Sequence, residues 1–242
     1  MFVVLFDIDG TLIQTGGAGK AAFAKTFVED FTVQKFPEQV LFAGRSDRAI
    51  AEDIMLHAGI ESSQENWSRF LAGYSRRLNE TLMSRKGHVL PGVETLLEQL
   101  SQMERVAVGL LTGNIECGAR AKLRYYGLEH RFRFGGFGDA STDRNDIAAD
   151  AVRAAKVYFS LTATNAESSF TGVMVIGDTV NDVRCAKSIG AYSVAVTTGG
   201  SAAEELQATE PDLLLEDLTE VSGILSHIRT SNHIDSDQTN RS

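Results

Sequence analysis

The stretch MFVVLFDIDGTLIQTGGAG, residues 1–19, decides how the rest of the chain is read. An apolar run at 2–6 stops at Asp7, and a second acid follows at Asp9 before Gly10-Thr11. A continuous apolar run predicts a strand covered on both faces. The period of two then sets Asp7 and Asp9 on one face, either side of Ile8. Two unit charges ~4 Å apart repel by ~4 kcal/mol at an effective dielectric near 20. The pair therefore calls for a cation or a proton.

Downstream, apolar runs recur at VAVGLL (106–111), GVMVIGD (172–178), YSVAV (192–196) and DLLL (212–215), separated by segments of helical period. Strands alternating with helices predict an α/β fold with a doubly wound parallel sheet. Residues 18–90 differ. Ala22, Phe23, Phe27 and Phe31, then Ile50 and Ile54, then Trp67, Phe70, Tyr74, Leu78 and Leu82 recur at helical spacing, with no strand between them. Ser62 with Glu65 predicts the start of the third helix. The expected organisation is a core of 1–15 and 91–229, an inserted helical cap of 16–90, and a disordered tail of 230–242. Core helices are expected from Val93 to Met103, up to Gly127, from Asp146 to Lys156, and up to Gly190.

A net charge of −9 argues against nucleic acid or an anionic membrane as partner. No run approaches the ~20 apolar residues of a membrane helix, and MFVVLF lacks the basic start of a leader. Cys117 and Cys185 stand alone, without zinc-site spacing, which points to a reducing, cytoplasmic setting. The oligomeric state is not legible.

Ligands of doubly wound sheets bind at the carboxyl ends of the strands. Those ends carry Asp7 and Asp9, Thr112-Gly113-Asn114, and Asp178 with Asp182. Gathered carboxylates favour a hard divalent cation, and all-oxygen ligands select Mg²⁺ over zinc. Thr112 and the amides of Gly113 and Asn114, where a strand turns into a helix, suit a phosphate. Arg144 adds a cation with bidentate donors. An acid nucleophile, an acid partner, Mg²⁺ and donors for spread negative charge describe phosphoryl transfer.

DIDGT at 7–11, LTGN at 111–114 and GDTVND at 177–182 together resemble the haloacid dehalogenase superfamily, in its phosphatase branch with a helical cap and phosphoglycolate-phosphatase-like members. The resemblance spans about residues 2–228. It implies Asp7 as nucleophile and metal ligand, forming an aspartyl-phosphate. Asp9 would protonate the leaving alcohol, then activate water, and meet the metal through its carbonyl. Asp178 and Asp182 would complete the metal site, and Thr112 would hold phosphoryl oxygens. Arg144 stands where the family commonly has Lys. The activity implied is Mg²⁺-dependent hydrolysis of a small phosphorylated metabolite. A phosphomutase on a sugar phosphate and a non-catalytic phosphometabolite-binding module are the alternatives.

Two glycine-rich stretches mislead. GGAGK at 16–20 fails as a nucleotide-binding loop, because Gln14 and Ala21 stand where Gly and Ser or Thr are required. It reads instead as a hinge into the cap. GGFGD at 135–139 lacks the third glycine of a dinucleotide site. In the cap, Arg45 is the candidate for reading the leaving group.

Overall fold

The computed structural model describes residues 1–37, 40–139, 141–162 and 170–239. β1 (Phe2–Phe6) leads through β2 (Ile13–Gln14) into three helices, α1 (Ala18–Asp30), α2 (Asp47–His57) and α3 (Gln64–Ser84). After β3 (His88–Val89) come α4 (Val93–Ser101), β4 (Val106–Leu111), α5 (Glu116–Tyr125), β5 (Gly135–Gly136) and α6 (Arg144–Thr162). β6 (Gly172–Gly177), α7 (Val180–Ser188), β7 (Tyr192–Val196), α8 (Ala203–Ala208), β8 (Leu213–Leu215) and α9 (Ser222–Thr239) complete the chain.

Six strands form one parallel sheet in the order β5-β4-β1-β6-β7-β8. β1 lies inside it, and every one of its residues is buried. Its alternation sorts the core. Phe2, Val4 and Phe6 join Leu96 of α4 and Ile224 and Ile228 of α9 on one face. Val3 and Leu5 join Ala148 and Ala151 of α6 and Cys185 of α7 on the other. Removing such side chains from water contributes roughly 1.5–3 kcal/mol each. The strand order reverses beside β1, so its carboxyl end opens into the crevice where ligands of such sheets bind.

The helices α1–α3 have their own apolar cluster, in which Phe23, Phe27, Phe70 and Tyr74 stack against one another. A buried Arg77 ties α3 to α1 through Asp30, at 2.6 and 2.7 Å, and through Glu29 at 2.8 Å. This is the inserted cap.

Several local details differ from the sequence expectations. The two chain crossings between core and cap pair with each other as an antiparallel ladder, Ile13 with Val89 and Gln14 with His88. Two-residue strands leave no periodicity to read. β5 is two glycines on the sheet edge, hydrogen-bonded beside Leu110 and Leu111. The N-cap of α3 is Ser63, whose hydroxyl accepts the Asn66 amide, rather than Ser62. α9 continues past residue 230 to Thr239, into the stretch expected to be disordered, while 240–242 lie outside the described residues. Once Ile224 and Ile228 anchor its first turns, each further turn adds hydrogen bonds at little cost. Among the described residues, no helix is long and apolar enough to cross a membrane.

Candidate active site

Asp7 follows β1 and extends its ladder, donating its amide to Ile176 of β6 at 3.0 Å. The chain then turns back on itself, with Leu12 and Ile13 both donating to the Ile8 carbonyl. Gly10, at φ 87°, makes that turn possible: a Cβ there would lie 2.5 Å from an Asp178 oxygen.

Asp7, Asp178 and Asp182 are all buried, and one carboxylate oxygen of each lies within 4.8 Å of the others. Burial, with Asp182 behind it, pushes Asp7 up to about 7, against the pull of Arg144 and the Thr112 hydroxyl. Burial and then the charges of Asp7 and Asp182 push Asp178 well above the usual carboxylate range. Asp178 accepts the Thr11 hydroxyl at 2.9 Å and the Gly200 amide at 2.5 Å. Asp182 uses both oxygens: one meets Arg144, and the other takes the Thr179 amide at 2.9 Å and hydroxyl at 2.6 Å. Its carboxylate thus caps α7 while anchoring a cation.

That cation, Arg144 at the start of α6, is buried and lies 3.6 Å from Asp7. Burial works against its charge, but Asp182 and Asp7 keep it protonated. Its Nε is buried without a partner, an orphaned donor at the edge of the acid cluster.

Asp9 lines the same cavity as Asp7. Its carboxylate is half-exposed and takes the Lys122 ammonium at 2.5 Å and the Asn114 amide group at 2.9 Å. Lys122 also donates to the Asn114 side-chain carbonyl at 2.6 Å. Thr112 is buried; its hydroxyl accepts from the Asn114 backbone and side chain at 3.3 and 2.8 Å. Lys122 and the side chain of Asn114 were not singled out from the sequence. A signal existed: Lys122 shares a face of α5 with Gly118 and Ala119, and a lysine on a buried face requires an acid.

The cap closes the site from above. Gly113 accepts the Asp47 amide at 2.7 Å, and Asn181 donates to the Gly44 carbonyl at 2.8 Å. Gly113 is required there, since a Cβ would run into the Arg45 carbonyl. Asp47 also accepts the Ile115 amide, capping α5 from across the interface. Burial pushes Asp47 up to about 6, while Lys122 pulls it back. Arg45 lines the cavity, yet its guanidinium is tied to Asp53 of α2, the helix that follows it, at 2.6 Å. The cavity, about 350 Å³, runs from Asp7, Asp178 and Arg144 to Lys20, Phe42 and Tyr74 of the cap.

The donor set fits a divalent metal: hard carboxylate oxygens, buried together, with Asp7 and Asp178 pushed above the usual carboxylate range by burial first and by neighbouring acids second. All three acids contribute an oxygen to the cluster, and Asp178 and Asp182 each also accept protein donors on both of their oxygens.

Known proteins resemble this chain in sequence and fold. The family model described as haloacid dehalogenase-like hydrolase matches residues 4–196. A phosphoglycolate phosphatase of Synechococcus elongatus is 28% identical over 216 residues, covering 89% of this chain and 93% of that protein. The validoxylamine A 7'-phosphate phosphatase of Streptomyces hygroscopicus subsp. limoneus is 30% identical over 223 residues, covering 90% and 95%. The crystal structure of CbbY from Rhodobacter sphaeroides in complex with phosphate shares the fold at a TM-score of 0.70 and 19% identity, covering 91% of this chain and 96% of that one. With a family model spanning most of the chain and phosphatases as relatives matched over most of their length, the protein is a hydrolase that belongs to the haloacid dehalogenase-like family.

Proposed function

We propose that the protein is a Mg²⁺-dependent phosphatase that hydrolyses a small phosphomonoester through an aspartyl-phosphate on Asp7. The observation that carries this reading is the position of Asp7: buried at the end of the central strand, within reach of Asp178 and Arg144, and opening into the cavity under the cap. The names of the relatives, phosphatases of small alcohol phosphates, support the same class.

Asp7 and Asp178, with the carbonyl of Asp9, would hold the metal, and Asp182 would serve it by fixing Arg144. The bound cation supplies positive charge that keeps Asp7 ionised and offsets the phosphoryl charge. Asp7 attacks phosphorus in line with the ester oxygen, and the P–O bond to the leaving alcohol breaks. Asp9 gives that oxygen its proton. Thr112, the Gly113 amide and the orphaned Nε of Arg144 supply donors to the equatorial oxygens. Asp9 then takes a proton from water, which attacks the phosphorus of the aspartyl-phosphate and releases inorganic phosphate and free Asp7. Lys122 and Asn114 hold the Asp9 carboxylate turned toward the leaving group. The cap excludes bulk water until the ester is bound.

Cys117 and Cys185 are both unpaired, which supports a reducing setting, the cytoplasm. The test is turnover of an aryl phosphate with and without Mg²⁺. Wild type should turn over only with the metal, and Asp7→Asn should be inactive yet as well folded. Absence of Mg²⁺-dependent turnover on a broad phosphate-ester panel would defeat the reading in favour of a binding module.

A further inference from the structure

The cap-side wall of the cavity holds polar groups that phosphoryl transfer does not use. Tyr74 of α3 is fully buried, lines the cavity and, among the described residues, has no hydrogen-bond partner for its hydroxyl. Burial keeps that hydroxyl protonated, so it is offered as a donor. Opposite it lies Gly19, in the first turn of α1. A Cβ built there would stand 3.4 Å from the Lys122 ammonium and 3.7 Å from the Tyr74 oxygen. Both groups therefore look onto the bare backbone of Gly19. The helix α1 begins at Gly17 with no side-chain cap and no acid in its first turn, leaving its positive end uncompensated. Lys20 stands at the rim over the Phe42 ring.

Tyr74, the ammonium of Lys122 and the start of α1 all offer donors or positive charge. Two acids share the wall, Asp9 and Asp47. Lys122 lies against the first and draws on the second, which also accepts the Ile115 amide. Neither accepts from Tyr74, whose hydroxyl still lacks an acceptor among the described residues.

We propose that the start of α1 with Tyr74 and Lys122 forms an oxyanion subsite for the leaving group. The substrate is then an ester whose alcohol carries a carboxylate or a second phosphate close to the ester oxygen. Closeness follows from Lys122, which touches both the subsite and Asp9, the residue placed to protonate that oxygen. The inference rests on the phosphatase reading above, and it shifts recognition of the leaving group from Arg45 to this wall.

The test compares ethyl phosphate, carboxymethyl phosphate and ethane-1,2-diyl bisphosphate on the Mg²⁺-loaded protein. One of the anionic esters should exceed ethyl phosphate in kcat/KM by about tenfold or more, through KM, and which one does so identifies the anion. Tyr74→Phe and Gly19→Val should each shrink that ratio by roughly fivefold, and Tyr74→Phe should raise the unfolding midpoint, because the hydroxyl it removes has no partner. Hydrolysis of all three esters at like rates, or variants that slow all three equally, overturns the subsite and leaves the phosphatase intact. If none is hydrolysed, the phosphatase reading fails instead. Calorimetric titration of Asp7→Asn with the same esters then decides. Tighter binding of an anionic ester that Tyr74→Phe abolishes supports the subsite, and equal binding overturns it.

Discussion

The Lys122 ammonium lies 2.5 Å from Asp9 and 2.6 Å from the Asn114 side-chain carbonyl, so a helix of the core, not of the cap, orients the acid. Lys122 is buried while Asp9 is half-exposed, which fixes the lysine and lets it steer the carboxylate. If Asp9 works as the acid, losing its orientation matters most where the leaving alcohol needs a proton. Lys122→Met should lower kcat/KM for alkyl phosphates by roughly 10–100-fold, and for nitrophenyl phosphate by far less. Steady-state kinetics with leaving groups of graded pKa measure this, and a uniform loss would contradict it.

Arg144 bridges two buried carboxylates, Asp182 and Asp7. Breaking a buried pair by removing one partner costs about 3–5 kcal/mol. Arg144→Met should therefore lose both activity and stability in urea unfolding, whereas Arg144→Lys should keep more of its stability than of its activity. The orphaned Nε, the donor placed for phosphate, is absent from lysine.

The acid cluster sets a pH signature. Asp7 is pushed up to about 7 and Asp47 up to about 6, each from an ordinary value of 3.8, and Asp178 moves the same way. A raised carboxyl binds more protons folded than unfolded, so the metal-free protein should lose stability as pH climbs from about 4 through about 7. Asp30 and Asp212, held below 3.8, act only in more acid solution. Differential scanning fluorimetry should show a fall of roughly 5–10 °C across the window. Added Mg²⁺ should raise the midpoint most at its alkaline end, where Asp7 is increasingly ionised.

Gly113 joins core to cap directly, its carbonyl taking the Asp47 amide. A methyl group there would displace the Arg45 backbone and keep the cap from seating. Gly113→Ala should reduce kcat/KM by about 10²-fold while the core stays folded, since misplacement near 1 Å costs that much. Circular dichroism beside turnover separates the two effects.

How much of this was legible in the sequence depends on how each residue signals. β1 announces itself because five apolar residues end abruptly in acids, and the parallel sheet follows from the repeat of that pattern. β5 could not be read, because two glycines on a sheet edge have no side-chain period. The ladder of β2 with β3 joins residues far apart in the chain, a pairing that no local window reveals. Within the site, Asp7, Asp178, Asp182 and Arg144 do come together in space as their motifs suggested. Lys122 escaped notice because a single lysine in a helix is ordinarily a solvated charge, and its partner stands 113 residues earlier. Arg45 drew attention in a turn before a helix, yet the turn places its charge beside Asp53.

The most direct measurement is acid quenching of the Mg²⁺-loaded enzyme during turnover of a phosphate ester, followed by peptide mass spectrometry. The account predicts one phosphoryl group on the peptide carrying Asp7, absent from Asp7→Asn and accumulating when Asp9 is replaced by asparagine. Active enzyme that never carries phosphate on Asp7, or carries it on another residue, would contradict the account.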